Sequence, residues 1–157
     1  MKRHLALAAV ALFIVAALPA AAQHWGQPGS TGIVDEASDG LYEFNNATLK
    51  FKTGQTGTIV ARYPVGGVAV LDPNWSFWEL SYSGPGVSAK LMAVYACGGA
   101  VEEIASFGPS TTNDNTCSTI DVSNTYWDSF GNSYYVEVTL TRATTSTNPQ
   151  FHHVQLQ

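Results

Sequence analysis

Aromatic side chains set among polar ones are the residues of this chain best suited to recognition chemistry. Trp75 with Phe77, and Tyr126 with Trp127, offer flat rings beside Asn, Ser, Asp and Thr. A sugar ring binds such a surface by stacking its apolar C–H face on the aromatic and hydrogen-bonding to the flanking groups. The odd spacing of Trp75 and Trp78 sends them to opposite faces of one strand, so with Trp78, Leu80 and Tyr82 inside, Trp75, Phe77 and Glu79 face outward. The competing reading places Trp127 over the open end of a core and Trp75 beneath a loop, the commoner fate of large aromatics.

Other residue types are weaker candidates. Glu79 and Glu137 would hydrolyse a glycoside only if both faced one cleft at about 5 to 10 Å, and both fall on strand faces that read as solvated. Asp35, Glu36 and Asp39 crowd three carboxylates into one turn, with Asn113-Asp114-Asn115 a second acidic turn. Calcium wants six or more oxygens, and Asx-turn chemistry accounts for the same residues without a metal. His152 and His153 are neighbours on a strand and point to opposite faces, which prevents them from chelating one ion together. No Gly-x-Ser-x-Gly elbow and no His-Glu-x-x-His helix occurs. The expectation is therefore no catalytic residue, no cofactor and no resident metal.

The elements that must position these groups have a period of two. Ala47, Leu49 and Phe51 alternate with polar residues, as do Ile59, Ala61, Tyr63 and Val65, and again Tyr134, Val136, Val138 and Leu140. Shorter apolar pieces at 33–34, 41–44 and 68–71 are bounded by Asp, Asn, Gly or Pro. Residues 75–82, 87–96 and 101–107 read as a three-stranded meander, with Gly98-Gly99 as a two-residue turn that sets Tyr95 opposite Glu102. In that register Met92, Val94, Ala96, Val101, Ala105 and Phe107 make a partly apolar sheet surface, a candidate interface. Strands at 119–122 and 151–157 complete the set, the last with Val154 and Leu156 inward alongside His152. About nine short strands with turn signals every eight to twelve residues specify an all-β fold, a two-layer antiparallel β-sandwich of Ig-like or jelly-roll type.

Location bounds the chemistry further. Lys2, Arg3 and His4, an apolar run from Leu5 to Leu18 and Ala20-Ala21-Ala22 before Gln23 make residues 1–22 a secretory signal peptide, too short in its apolar part to span a bilayer. Residues 23–31 read as a flexible arm and 32–157 as the β-sandwich domain. Cleavage leaves Lys50, Lys52, Arg62, Lys90 and Arg142 against twelve acidic residues, a formal charge of −7, with no cationic run. Nucleic acid and membrane insertion are set aside on that basis. In an oxidising compartment Cys97 and Cys117, the only cysteines, are expected to form one disulfide.

Two stretches, Phe51-Lys52-Thr53-Gly54-Gln55-Thr56-Gly57-Thr58-Ile59-Val60-Ala61-Arg62-Tyr63 and Tyr134-Tyr135-Val136-Glu137-Val138-Thr139-Leu140-Thr141-Arg142, the latter followed by Asn148-Pro149 and Val154-Gln155-Leu156, have a familiar pattern. Together they resemble a group of small exported bacterial β-sandwich proteins with this Gly-Gln-Thr-Gly turn, a variable middle and a Tyr-Tyr strand ahead of the last one. The resemblance implies export and fold, and it brings no assigned activity and no catalytic residue. The leading expectation is an exported, non-catalytic β-sandwich that works by surface contact with a protein partner or its own copies. A carbohydrate-binding module is the alternative, and a glycoside hydrolase comes third.

Overall fold

A computed structural model describes residues 24–66, 74–128 and 130–157; the expected signal peptide at 1–22 and the expected strand at 68–71 lie outside them. The described residues form eleven strands: β1 (Trp25–Pro28), β2 (Ile33–Val34), β3 (Tyr42–Asn45), β4 (Thr48–Phe51), β5 (Gly57–Val65), β6 (Phe77–Ser83), β7 (Val87–Tyr95), β8 (Val101–Phe107), β9 (Thr116–Asp121), β10 (Asn132–Arg142) and β11 (Gln150–Leu156). Every pairing is antiparallel. One sheet runs β3-β4-β11-β6-β9, with β1 also on β11, and the other runs β2-β5-β10-β7-β8. This is the two-layer β-sandwich that the alternation specifies.

The core lies where the two sets of alternating residues meet. Ile59, Ala61 and Tyr63 of β5, Val136, Val138 and Leu140 of β10, and Ala89 and Leu91 of β7 face Leu49 and Phe51 of β4, Trp78 and Leu80 of β6, and Phe151, Val154 and Leu156 of β11, all buried. Tyr63 is sealed among them. Its hydroxyl donates to the Gly29 carbonyl at 2.8 Å, and burial pushes its pKa well above the ordinary tyrosine range. Gly29 has no room for a side chain, because a Cβ there would lie 2.1 Å from the Phe151 carbonyl oxygen.

Several expectations are corrected. Residues 24–31 are not a loose arm: Trp25 is buried and β1 pairs Trp25 with Leu156 and Pro28 with His153, because the outer part of β11 would otherwise be an open edge. The cysteines form no disulfide. Both are free and exposed, Cys97 in the turn after β7 in one sheet and Cys117 on the outward face of β9, the edge strand of the other. Gly98-Gly99 is not a two-residue turn. Tyr95 N–H donates to Ala100 O and Gly99 N–H to Tyr95 O, so the loop is Ala96 to Gly99 and Ala93, not Tyr95, stands opposite Glu102. Gly98 and Gly99 both have positive φ, 100° and 65°, which this tight reversal requires. In β11 a bulge between Phe151 and His153 turns Phe151 rather than His152 inward.

Candidate functional site

Residues 125–128 and 130–131 lie at the end of the sandwich where β10 begins. Trp127 plugs the core there. Its ring meets Trp75 edge-on at 5.0 Å and Tyr134 at 5.1 Å, and its indole N–H donates to the Trp75 carbonyl at 3.1 Å. Asp128 shapes the rest of the loop. Its Oδ1 accepts from the backbone N–H of Phe130 at 3.0 Å and of Gly131 at 2.8 Å, and its own N–H donates to the Tyr134 hydroxyl at 2.8 Å. With Trp127 held inward, its neighbour Tyr126 is forced outward and stands 82% exposed.

Beside that ring is a cleft of about 360 Å³ whose lining includes Tyr95, Glu102, Ile104, Tyr126, Asn132 and Tyr134. Ala93 and Glu102 face each other across β7 and β8. They continue the inward-facing rows Val87, Ala89, Leu91 of β7 and Phe107, Ala105 of β8; Ala93 still packs in the core, whereas Glu102 is exposed, so a carboxylate occupies an inward position at an open rim. The Tyr95 hydroxyl donates to Glu102 Oε2, which holds the phenol above its ordinary pKa and fixes the ring, 38% exposed, at the cleft wall. Glu103 turns to the outer face, where Lys90 Nζ lies 2.7 Å from it and, with a Ser106 hydrogen bond, lowers its pKa. The site thus has two tyrosine rings, one tethered and one highly exposed, with Glu102 and Asn132 in the same lining.

The expected ligand-binding residues divide. Tyr126 and Phe77 are exposed, whereas Trp75 and Trp127 are 2% and 3% exposed and serve as packing, as does Trp78 at 0%. Trp75 goes inward because β6 begins only at Phe77, leaving Trp75 outside the strand's alternation and beneath the loop carrying Trp127. The candidate interface divides too. Met92, Val94 and Val101 share the outer face, and Ala96 lies in the turn. Ala105 and Phe107 pack on the core, Phe107 at 4.9 Å from Tyr82, because a bulge with Ile104 as its extra residue reverses the facing of β8.

Glu79 and Glu137 cannot share a cleft. Glu79 lies on the outer face of one sheet, bonded to Gln155, and Glu137 on the outer face of the other, with Arg62 Nε at 2.9 Å. Arg62 also takes Asp35, at 3.2 Å, while Glu36 and Asp39 are exposed on a short 3-10 turn and its end. Asp114 sits in an exposed turn closed by Thr112 and Thr116. Among the described residues no group of three or more His, Cys, Asp or Glu could hold a metal ion. His152 does not point into the core: its ring nitrogens meet Thr48 Oγ1 at 2.9 Å and Ser83 Oγ at 3.1 Å, joining β4, β11 and β6. Burial holds the pKa of His152, and of His153 against an opposing effect of Glu79, below the usual value.

Tyr95, Glu102 and Asn132 were not anticipated as site residues. Their signal was the inward period of β7 and β8 running on beyond the last large apolar side chain, ending in Glu102 instead of a hydrophobe.

No protein-family model and no curated protein matches the sequence. Among solved structures, the chain is similar to a low-affinity xylan binding module, CBM86, from Roseburia intestinalis, at 13% identity and a TM-score of 0.49, over 86% of this chain and 95% of that one. It is also similar to the CBM36-1 domain of a multidomain xylanase from the hindgut metagenome of Trinervitermes trinervoides, at 10% identity and a TM-score of 0.48, over 86% and 97%. An insecticidal crystal protein, CRY2AA, matches at 13% identity and a TM-score of 0.46, over 85% of this chain and 21% of that one. Values this low add nothing to what the strand pairings already define. Among the described residues no helix is long and apolar enough to cross a membrane.

Proposed function

We propose that this chain is an exported, non-catalytic carbohydrate-binding module whose ligand surface is the cleft between Tyr95 and Tyr126. The observation that carries the reading is the pair of exposed rings in one cleft at an open rim, Tyr126 at 82% and Tyr95 at 38% exposure, with Glu102 and Asn132 in the same lining. Such a surface suits a sugar ring, which presents an apolar C–H face to a phenol and hydroxyls to a carboxylate and an amide. The lining includes the Glu102 carboxylate and no cation, which favours a neutral polysaccharide over an acidic one. The cleft supports this reading; the likeness to xylan-binding modules does not enter it.

Affinity electrophoresis in gels containing neutral soluble polysaccharides (xylan, mixed-linkage glucan, mannan) is the direct test. The wild-type protein should be retarded by at least one of them. Tyr126→Ala should lose about tenfold in affinity, a stacked ring being worth about 1 kcal/mol beyond the area it buries. Free mobility in every gel would overturn the reading. If solution mass also rose with concentration, contact between copies through Met92, Val94 and Val101 would take its place.

A further inference from the structure

The other end of the sandwich holds a second cleft, of about 470 Å³, with Lys50, Thr53, Gly54, Thr145 and Asn148 around Arg142 and Phe51 among its lining. Arg142 is the last residue of β10 and occupies an inward-facing position, two residues beyond Leu140, so the alternation that fills the core with hydrophobes ends in a guanidinium. It is only 8% exposed, and its guanidinium carbon lies 5.8 Å from the centroid of the Phe51 ring. Nη1 donates to Gln55 O at 3.2 Å and Nη2 to Thr145 O at 2.8 Å, using two of the five N–H groups, and Nε is buried with no partner.

No carboxylate among the described residues forms an ion pair with Arg142; the four ion pairs found there involve Lys50, Arg62 and Lys90. Arginine cannot relieve burial by losing its proton, and a buried cation is tolerated when an anion and further acceptors complete its shell. Carbonyl oxygens supply only part of that here. The Lys50 ammonium lines the same cleft; it is paired with Glu43 at 2.9 Å and has further N–H groups to donate.

We propose that this cleft binds an oxyanion, a carboxylate, phosphate or sulfate group, which supplies the missing countercharge to Arg142 with Lys50 as second donor. A planar guanidinium suits two oxygens of one such group. The two cations are local to this cleft in a mature chain of formal charge −7, so a single anionic group fits better than a polyanion. Arg142 and Asn132 lie at opposite ends of β10, an eleven-residue strand of roughly 33 Å, which separates this site from the aromatic cleft.

Amide NMR spectra of the protein, titrated at constant ionic strength by replacing chloride with sulfate, phosphate or glucuronate, test the proposal. Saturable shifts at residues 50–54 and 145–148 are expected with at least one of the three. Arg142→Lys should weaken binding about tenfold by removing the two-pronged contact. Lys50→Met should weaken it severalfold, and serves as the reading variant if the arginine change does not fold. Binding of sulfate or phosphate without glucuronate would assign the site to a free inorganic ion. Tighter glucuronate binding would assign it to an acidic sugar. Linear, unsaturable shifts with all three anions, saturable shifts elsewhere in the protein, or an unchanged affinity in Lys50→Met would overturn it.

Discussion

Asn132 and Arg142 begin and end one strand, and the ends of the sandwich they mark are closed in opposite ways. At the Asn132 end the seal is the Trp127 indole, whose single donor is satisfied by Trp75 O and whose ring is braced by Trp75 and Tyr134. The seal there is complete in itself, so Tyr126 and Tyr95 above it are free to meet a ligand. At the Arg142 end the seal is a guanidinium whose bonding is unfinished. There the closure and the proposed recognition element are the same side chain. An end sealed by an apolar group separates stability from binding, whereas an end sealed by a charge couples them.

The sharpest way to break that contrast is Trp127→Ala. Emptying the plug should cost about 3 to 5 kcal/mol in denaturant unfolding, the range for a buried Trp. A loss below 1 kcal/mol would mean the aromatic end is not a core seal. Arg142→Met should cost less, about 1 to 2 kcal/mol in water, since it leaves the Gln55 and Thr145 carbonyls unpaired while removing a buried charge. In saturating sulfate the wild type should gain stability and this variant should not, which is the coupling expected of that end. Tyr126→Ala should leave unfolding within about 0.5 kcal/mol of wild type while impairing polysaccharide retention, because an exposed ring contributes little to the fold.

The smallest effect is expected between the ends, at the histidines of β11. Burial holds His152 and His153 below their unfolded-state pKa of about 6.5, so the unfolded chain binds more protons in that window. Their contribution to stability is therefore present above about pH 6.5 and lost as pH falls through the folded values. Thermal midpoints between pH 7.5 and 5 should decline less in a His152→Gln, His153→Gln double variant. Sulfate affinity should stay flat over that range, since neither imidazole lines the basic cleft.

The layers were legible because alternation is a strong signal wherever one face is buried. Ile59, Ala61 and Tyr63, and Val136, Val138 and Leu140, were assigned inward from spacing alone and are fully buried. Spacing failed where the chain leaves strict alternation. One extra residue at Ile104 reversed Ala105 and Phe107, another at His152 exchanged it with Phe151, and both changes depend on neighbouring strands that local sequence does not reveal. The same limit hid the sites. Tyr126 was found from its type, but Trp75 and Trp127 beside the same end belong to the seal, and only the packing of a loop on distant strands separates ring from ring. Arg142 read as one of a few scattered cations until its inward position and absent partner were visible.

The ladder between β1 and β11 sets Trp25 opposite Leu156, so the first and last described strands run side by side in reverse sense. A cargo protein spliced before Trp25 and one spliced after Leu156 would hang from the same corner of the body. A short linker there could also close the backbone into a ring, letting new ends be cut at the exposed Gly98-Gly99 reversal while the layered architecture persists.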